Sequence, residues 1–184
     1  MIFAPDTETS LGSIVALINS VNESADNLTT LKDLDDFLAD QKFTGSRTHD
    51  SAELRSVRQL RSQLAGLWQC AEAEAVEQVN NILRNARAMP QLVKHDGWNY
   101  HIHATTPEAP LSERMAVEAA MALVDVLRSA ELSRLRVCAA PDCEAVLLDL
   151  SRNRSKRYCD TGNCANREHV RAYRQRKSQQ KLEV

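Results

Sequence analysis

The sequence predicts a mainly α-helical chain of the α+β class. A helical body over residues 1–133 carries one small β-hairpin, and a compact cysteine-bearing module over 134–184 ends in a basic helix. Three observations carry this reading. Aliphatic residues recur at helical spacing through most of the first 130 positions. One Asp-Gly pair sits between two alternating runs. After Arg134 the charge reverses, and four of the five cysteines fall between positions 138 and 164.

Leu11, Ile14, Val15, Ile18 and Val21 define a first helix, with Thr9-Ser10 as its cap. A polar break over Asn27–Thr30 precedes a short helix marked by Leu31, Leu34, Phe37 and Leu38, with Asp35, Asp36 and Asp40 on its wet side. Residues 43–50 read as a loop. A longer helix then starts at Ser51 and places Leu54, Val57, Leu60, Leu64 and Leu67 on one face. Helical pattern resumes from Ala71 to Ala88, and the sequence leaves open whether the chain breaks between Trp68 and Glu72. Pro90 ends it.

Residues 91–95 and 98–103 flank Asp96-Gly97 as a hairpin, and Pro107 and Pro110 punctuate its exit. The helix opening at Leu111-Ser112 is apolar over more than half its circumference, which places it at the centre of a bundle. Leu135–Val137 and Ala145–Leu150 read as short strands around a turn at Ala139–Asp142, and a last helix runs from Cys164 to about Gln180.

Hydrophobic residues make up 43% of the 184 positions but aromatics only 4%, so the core must be aliphatic. The first ten residues lack a basic start and an apolar run, and no stretch reaches the roughly 18 apolar residues of a membrane span. A cytoplasmic protein with reduced thiols is therefore expected. Residues 1–133 hold 11 Lys and Arg against 19 Asp and Glu, a net −8, whereas residues 134–184 hold 12 against 6, a net +6. Opposite charge on the two halves points to different partners.

Cys138, Cys143, Cys159 and Cys164 form C-x4-C-x15-C-x4-C. Two short cysteine pairs on two turns supply the four thiolates that Zn²⁺ takes tetrahedrally. Buried free thiols, disulfides and an iron–sulfur cluster are weaker readings. The paired spacing argues against the first, the lack of an export signal against the second, and the absence of a matching spacing against the third. Four cysteines leave no position for water, so one structural, non-catalytic Zn²⁺ is expected in a treble-clef or ribbon-like module with four thiolate ligands.

Cys70 stands alone in an apolar helix and reads as a small core residue. His101 and His103 share a face of the hairpin, with His95 on the partner strand. No carboxylate or cysteine is patterned with them, so satisfied or half-exposed histidines are expected, and whether they bind anything is open.

Nine Lys and Arg lie between residues 152 and 177 against two acidic residues. Arg152, Arg154, Lys156 and Arg157 occupy the loop between the cysteine pairs. Arg167, Arg171 and Arg174 line one face of the last helix, Arg176 and Lys177 extend it, and Val170 and Tyr173 face the side available for packing on the cysteine module. A row of arginines on a rigid base suits a nucleic-acid backbone. Asn166 and Arg167, directly after the fourth cysteine, are placed to fold back on the turn or the sulfurs.

The run from Cys138 and Cys143 through Asp149-Leu-Ser-Arg-Asn-Arg-Ser-Lys-Arg-Tyr-Cys159 to Cys164-Ala-Asn-Arg167 resembles the bacterial CGNR-type zinc finger, with Ala165 where the eponymous motif has Gly. Such fingers follow an ABATE domain, which residues 10–130 resemble in length and helical layout, including the segments Leu17–Ser20 and Val79–Leu83. The resemblance implies a stress-related transcription regulator with a DNA-binding finger.

The expected function is thus a DNA-binding regulator that uses Arg152, Arg154, Lys156, Arg157, Arg171, Arg174, Arg176 and Lys177. Its body would sense a small molecule, in a pocket near Trp98, Tyr100, His101 and His103, or form a homodimer. The alternative is a zinc-stabilised adaptor for an acidic protein partner. No nucleophile–base pair, phosphate-binding glycine loop or open metal position is legible, so an enzyme is not expected.

Overall fold

The computed structural model describes residues 2–22, 25–94 and 99–182, with side chains to residue 179. Its elements run α1 (Pro5–Ile18), α2 (Leu31–Asp40), α3 (Ser51–Leu67), α4 (Glu72–Asn85), β1 (Gln91–Val93), β2 (His101–His103), α5 (Leu111–Arg128), a 3-10 turn (Leu132–Arg134), β3 (Leu135–Val137), β4 (Val146–Leu148) and α6 (Cys164–Leu182). No helix among the described residues is long and apolar enough to cross a membrane.

Helix α5 occupies the centre, as its apolar circumference predicts, and packs against α1, α3 and α4. Its Leu111, Met115, Val117, Ala120, Leu123 and Val126 are buried with Leu11 and Leu17 of α1 and Val57, Leu64 and Leu67 of α3. Alanines at 119, 120 and 122 let neighbouring helices approach closely. Burial of this aliphatic surface, at about 25 cal/mol per Å², is the main force holding the body together.

Helix α1 starts at Pro5, more than a turn before the Thr9-Ser10 cap expected from the sequence. Proline at the first helical position has its φ preset and lacks an N–H that would go unpaired anyway. Glu8 completes the start by accepting the backbone N–H of Ile2 and Phe3 at 3.1 and 3.3 Å. Helix α2 has the reciprocal cap of Thr30 and Asp33. The pattern left undecided between Trp68 and Glu72 is a break: Trp68 caps α3, and α4 begins at Glu72. Cys70 lies half-buried in that break against the core, and burial pushes its thiol up.

Strands β1 and β2 pair antiparallel with Gln91 opposite His103 and Val93 opposite His101. The Asp96-Gly97 turn, His95 and Trp98 lie outside the described residues. The hairpin, α1, α5 and the loop after α2 enclose a cleft of about 1020 Å³. His101 and His103 line it as the sequence suggests, whereas Tyr100 is exposed beyond its lining. Arg114 shapes the rim. Its guanidinium is buried and donates to the carbonyls of Thr44, Ser46 and Ala109. Gly45 (φ 97°) runs so close that a Cβ would strike that guanidinium.

Strands β3 and β4 pair with Leu135 opposite Leu148 and Val137 opposite Val146. Alternation splits them between two cores. Leu135, Val146 and Leu148 join the helical body, while Leu147 joins Cys138, Ala140, Cys159 and Cys164.

A candidate metal centre and its basic flank

Three short elements bring the cysteines together. Cys138 and Cys143 lie on the turn joining β3 to β4, where Cys138 N donates to Ala145 O (2.8 Å) and Cys143 N to Ala140 O (3.2 Å). Cys159 closes the 149–158 loop. Cys164 opens α6 after Asn163, whose left-handed backbone (φ 50°) is one that asparagine tolerates. Gly162 passes beneath the cluster, and a Cβ there would stand 3.0 Å from Cys164 Sγ.

The four sulfurs lie within 4.8 Å of one another. Cys143 and Cys159 are 3.7 Å apart, Cys159 and Cys164 3.6 Å. A Zn–S bond of about 2.3 Å puts neighbouring sulfurs of a tetrahedron about 3.8 Å apart, so the cluster has the size that Zn²⁺ requires. The electrostatics agree. Burial and the neighbouring thiols push Cys143 up to about 12. Burial also opposes ionisation of Cys159, but hydrogen bonds from Thr161, Cys164 and Cys143 bring it down to about 7. Several thiolates cannot coexist in this space without a cation, and one Zn²⁺ supplies it.

Charge around the sulfurs is arranged to match. Arg167 Nη2 donates to Cys164 Sγ (3.2 Å) and to Asp142 Oδ1 (3.3 Å), and Cys159 N approaches Cys138 Sγ at 3.4 Å. The N-terminus of α6 adds its dipole at Cys164. Asn166 is exposed, with no hydrogen bond to a sulfur among the described residues.

Asp149 is fully buried and organises the loop that precedes Cys159. Its Oδ1 accepts Ser151 N (2.9 Å) and Ser151 Oγ (2.5 Å), and its Oδ2 accepts Lys156 N (3.0 Å). Arg136 stands 3.3 Å from the same carboxylate. Burial would raise its pKa, but the bonds from Ser151 and Lys156 and the Arg136 charge hold it below the usual range. Arg134, also buried, donates to the carbonyls of Asp149 and Ser151 and pairs with Glu131 at 2.7 Å. Sequence reasoning gave Asp149, Arg134 and Arg136 no role. The available signal was an aspartate ending an apolar strand two residues before a serine, a pattern that favours an Asx turn.

The eight basic residues expected on the binding surface divide in two. Arg154 pairs with Glu131 (3.0 Å), Lys156 with Asp160 (2.6 Å) and Arg171 with Glu168 (2.7 Å). Arg152, Arg157, Arg174, Arg176 and Lys177 are exposed and make no ion pair among the described residues, and Arg157 lies over the ring of Tyr158. Val170 and Tyr173 do not pack on the cysteine module. They are 41% and 58% exposed, and among the described residues α6 packs extensively against no other element.

A family profile for the CGNR zinc finger matches residues 134–177. The ABATE profile, described as "Putative stress-induced transcription regulator", matches residues 13–130. No curated protein sequence matches the chain.

Proposed function

The chain belongs to the ABATE family, and from that premise we propose that it is a cytoplasmic DNA-binding transcription regulator, not an enzyme, whose zinc finger holds the duplex. The observation that carries this reading is α6. It is a 19-residue helix rooted at the fourth cysteine, with no buried side chain beyond it among the described residues and with Arg171, Arg174, Arg176 and Lys177 along its length. A helix whose described face beyond its first residue is not buried gains little from packing on its own fold, and its charge suits a phosphate backbone. Arg152, Arg154, Lys156 and Arg157 extend the positive surface along the neighbouring loop, and the ion pairs of Arg154, Lys156 and Arg171 are exposed enough to exchange for phosphates. Asn166 and Arg167 would hold the turn that carries the helix.

The domains divide at residues 133 and 134 in this reading. The body is the sensing or dimerising part. The cleft beside β1 and β2 is roomy enough for a small effector. Met89, Leu92 and Tyr100 leave an apolar surface on the hairpin that a second copy could cover.

Exposed Val170 and Tyr173 among the arginines favour a second reading, an adaptor that binds an acidic protein. Fluorescence anisotropy on a labelled random-sequence duplex separates the two. The zinc-loaded chain binds at low salt, and Arg174→Ala with Arg176→Ala weakens binding on the order of tenfold. Equal affinity of wild type and variant would remove α6 from the interface, and no binding at all would leave the adaptor.

A further inference from the structure

Helix α4 lies at the edge of the body. It buries Ala75, Val79 and Ile82 and packs extensively against α5 and against no other element. The opposite face carries Ala73, Glu77, Asn80 and Arg84, which follow one another at steps of three and four residues and are all exposed. Val76, 40% exposed, borders it.

The charges of this face are placed symmetrically about its middle. Glu77 stands as far before the midpoint of Asn80-Asn81 as Arg84 stands after it, about 5 Å along the axis on either side. The helix dipole accounts for Arg84, which lies in the last turn, but not for Glu77, which lies beyond the first turn and its Glu72 and Glu74. Glu74 accepts from Gln78 at 3.1 Å, whereas Glu77 has no partner among the described residues. Arg84 spends only Nη2, on Asn81 Oδ1 at 2.5 Å. A face with an acid and a base at equal distances from its midpoint complements itself when two copies run antiparallel. A uniformly acidic or basic partner matches only one end. Ala73, Val76 and Asn80 are short, so two helix axes can approach to about 8–10 Å.

We infer that α4 is an interface between two copies of this chain, paired antiparallel about a two-fold axis between Asn80 and Asn81, with Glu77 of each against Arg84 of the other. This rests on the reading of the body as the dimerising part and names the surface. The Asn80 and Asn81 amides, each both donor and acceptor, meet at the axis and fix the register. Met89 and Leu92, exposed just past the end of α4, add apolar area at its edge. An interface of one helix pair is small, so the dimer is a micromolar one that salt weakens.

The test is sedimentation equilibrium of the tag-free, zinc-loaded full-length chain at low salt. Wild type should dimerise below about 100 µM. Glu77→Arg alone, or Arg84→Glu alone, sets like charges together twice in each dimer and should weaken it by at least about tenfold. Mixing the two variants should restore the dimer, because each then supplies the charge that the other lacks. A merely solvated face would give no such recovery. A monomer at about 100 µM would overturn the proposal and the dimerising reading together. A dimer that neither variant weakens, or variants that stay monomeric when mixed, would remove α4 from the interface and leave that reading standing. Should a variant fail to fold, wild type decides alone: a dimer equally strong at high and low salt is not held by these pairs.

Discussion

The side-chain amide of Asn19 closes a two-bond ring with the backbone of Val146. Its Nδ2 donates to Val146 O and its Oδ1 accepts from Val146 N, both at 2.9 Å. Asn19 caps the end of α1, so a residue of the helical body serves β4 as a substitute for a neighbouring strand. Trp68, at the end of α3, does the same for the next residue by donating Nε1–H to Leu147 O at 3.2 Å. The finger is bolted to the body through two consecutive residues of one short strand.

Removing the amide should loosen that joint. Asn19→Ala leaves a backbone donor and acceptor of β4 without their partner, which costs about 2 kcal/mol. The expected outcome is a lower denaturant midpoint together with faster hydrogen exchange at the Val146 amide. Unchanged exchange would show that other contacts fix the strand.

Chelation should melt the finger and spare the body. The helical body has its own aliphatic core, whereas the finger's core consists of the cysteines with Ala140 and Leu147. A module this small needs its metal to fold. Far-ultraviolet circular dichroism after chelation should keep most of its helical signal, and Cys143→Ser should reproduce the chelated state. Gly162→Ala, which sets a methyl against Cys164 Sγ, should lower zinc affinity without altering the melting of the body.

Asp149→Ala removes the buried acceptor of three donors and the partner of Arg136. The loss should be about 3 kcal/mol, concentrated in the finger. Hydrogen exchange over residues 151–157 should rise while α5 stays protected.

Asp26 makes acid stability testable. The hydrogen bond from Arg61 holds its carboxyl at about 2, against an ordinary 3.8. The pair is nearly buried, with Arg61 8% and Asp26 20% exposed. A depressed folded pKa adds stability that is present above the unfolded value and lost as pH falls through the folded one. Wild type should therefore lose about 2 kcal/mol from this group between roughly pH 4 and 2. Asp26→Asn should be less stable near neutral pH, and its disadvantage should shrink over that same interval.

Local chemistry made much of this legible in sequence. The paired strands around Asp96-Gly97, the apolar α5 and the β3 strand follow from residues adjacent in the chain, and the cysteine spacing alone located the metal cluster. What was not legible depends on distance. Nothing near Val146 in sequence announces Asn19, because a helix more than a hundred residues earlier in the chain delivers it. The early start of α1 hid behind a stronger capping residue, Ser10, although Pro5 carried the better signal. Val170 and Tyr173 were misplaced for a different reason: helical periodicity assigns a face but cannot say whether anything lies opposite it.

The most direct test of the account is the salt dependence of binding to duplex DNA by the zinc-loaded full-length chain. If about four phosphates are neutralised by α6 and the neighbouring loop, the logarithm of the binding constant should fall linearly with the logarithm of salt concentration, with a slope of about −4. The slope should lose about one unit for each of Arg174 and Arg176 replaced by alanine. A binding constant insensitive to salt, or no binding at low salt with zinc in place, would contradict the claim that this finger holds DNA.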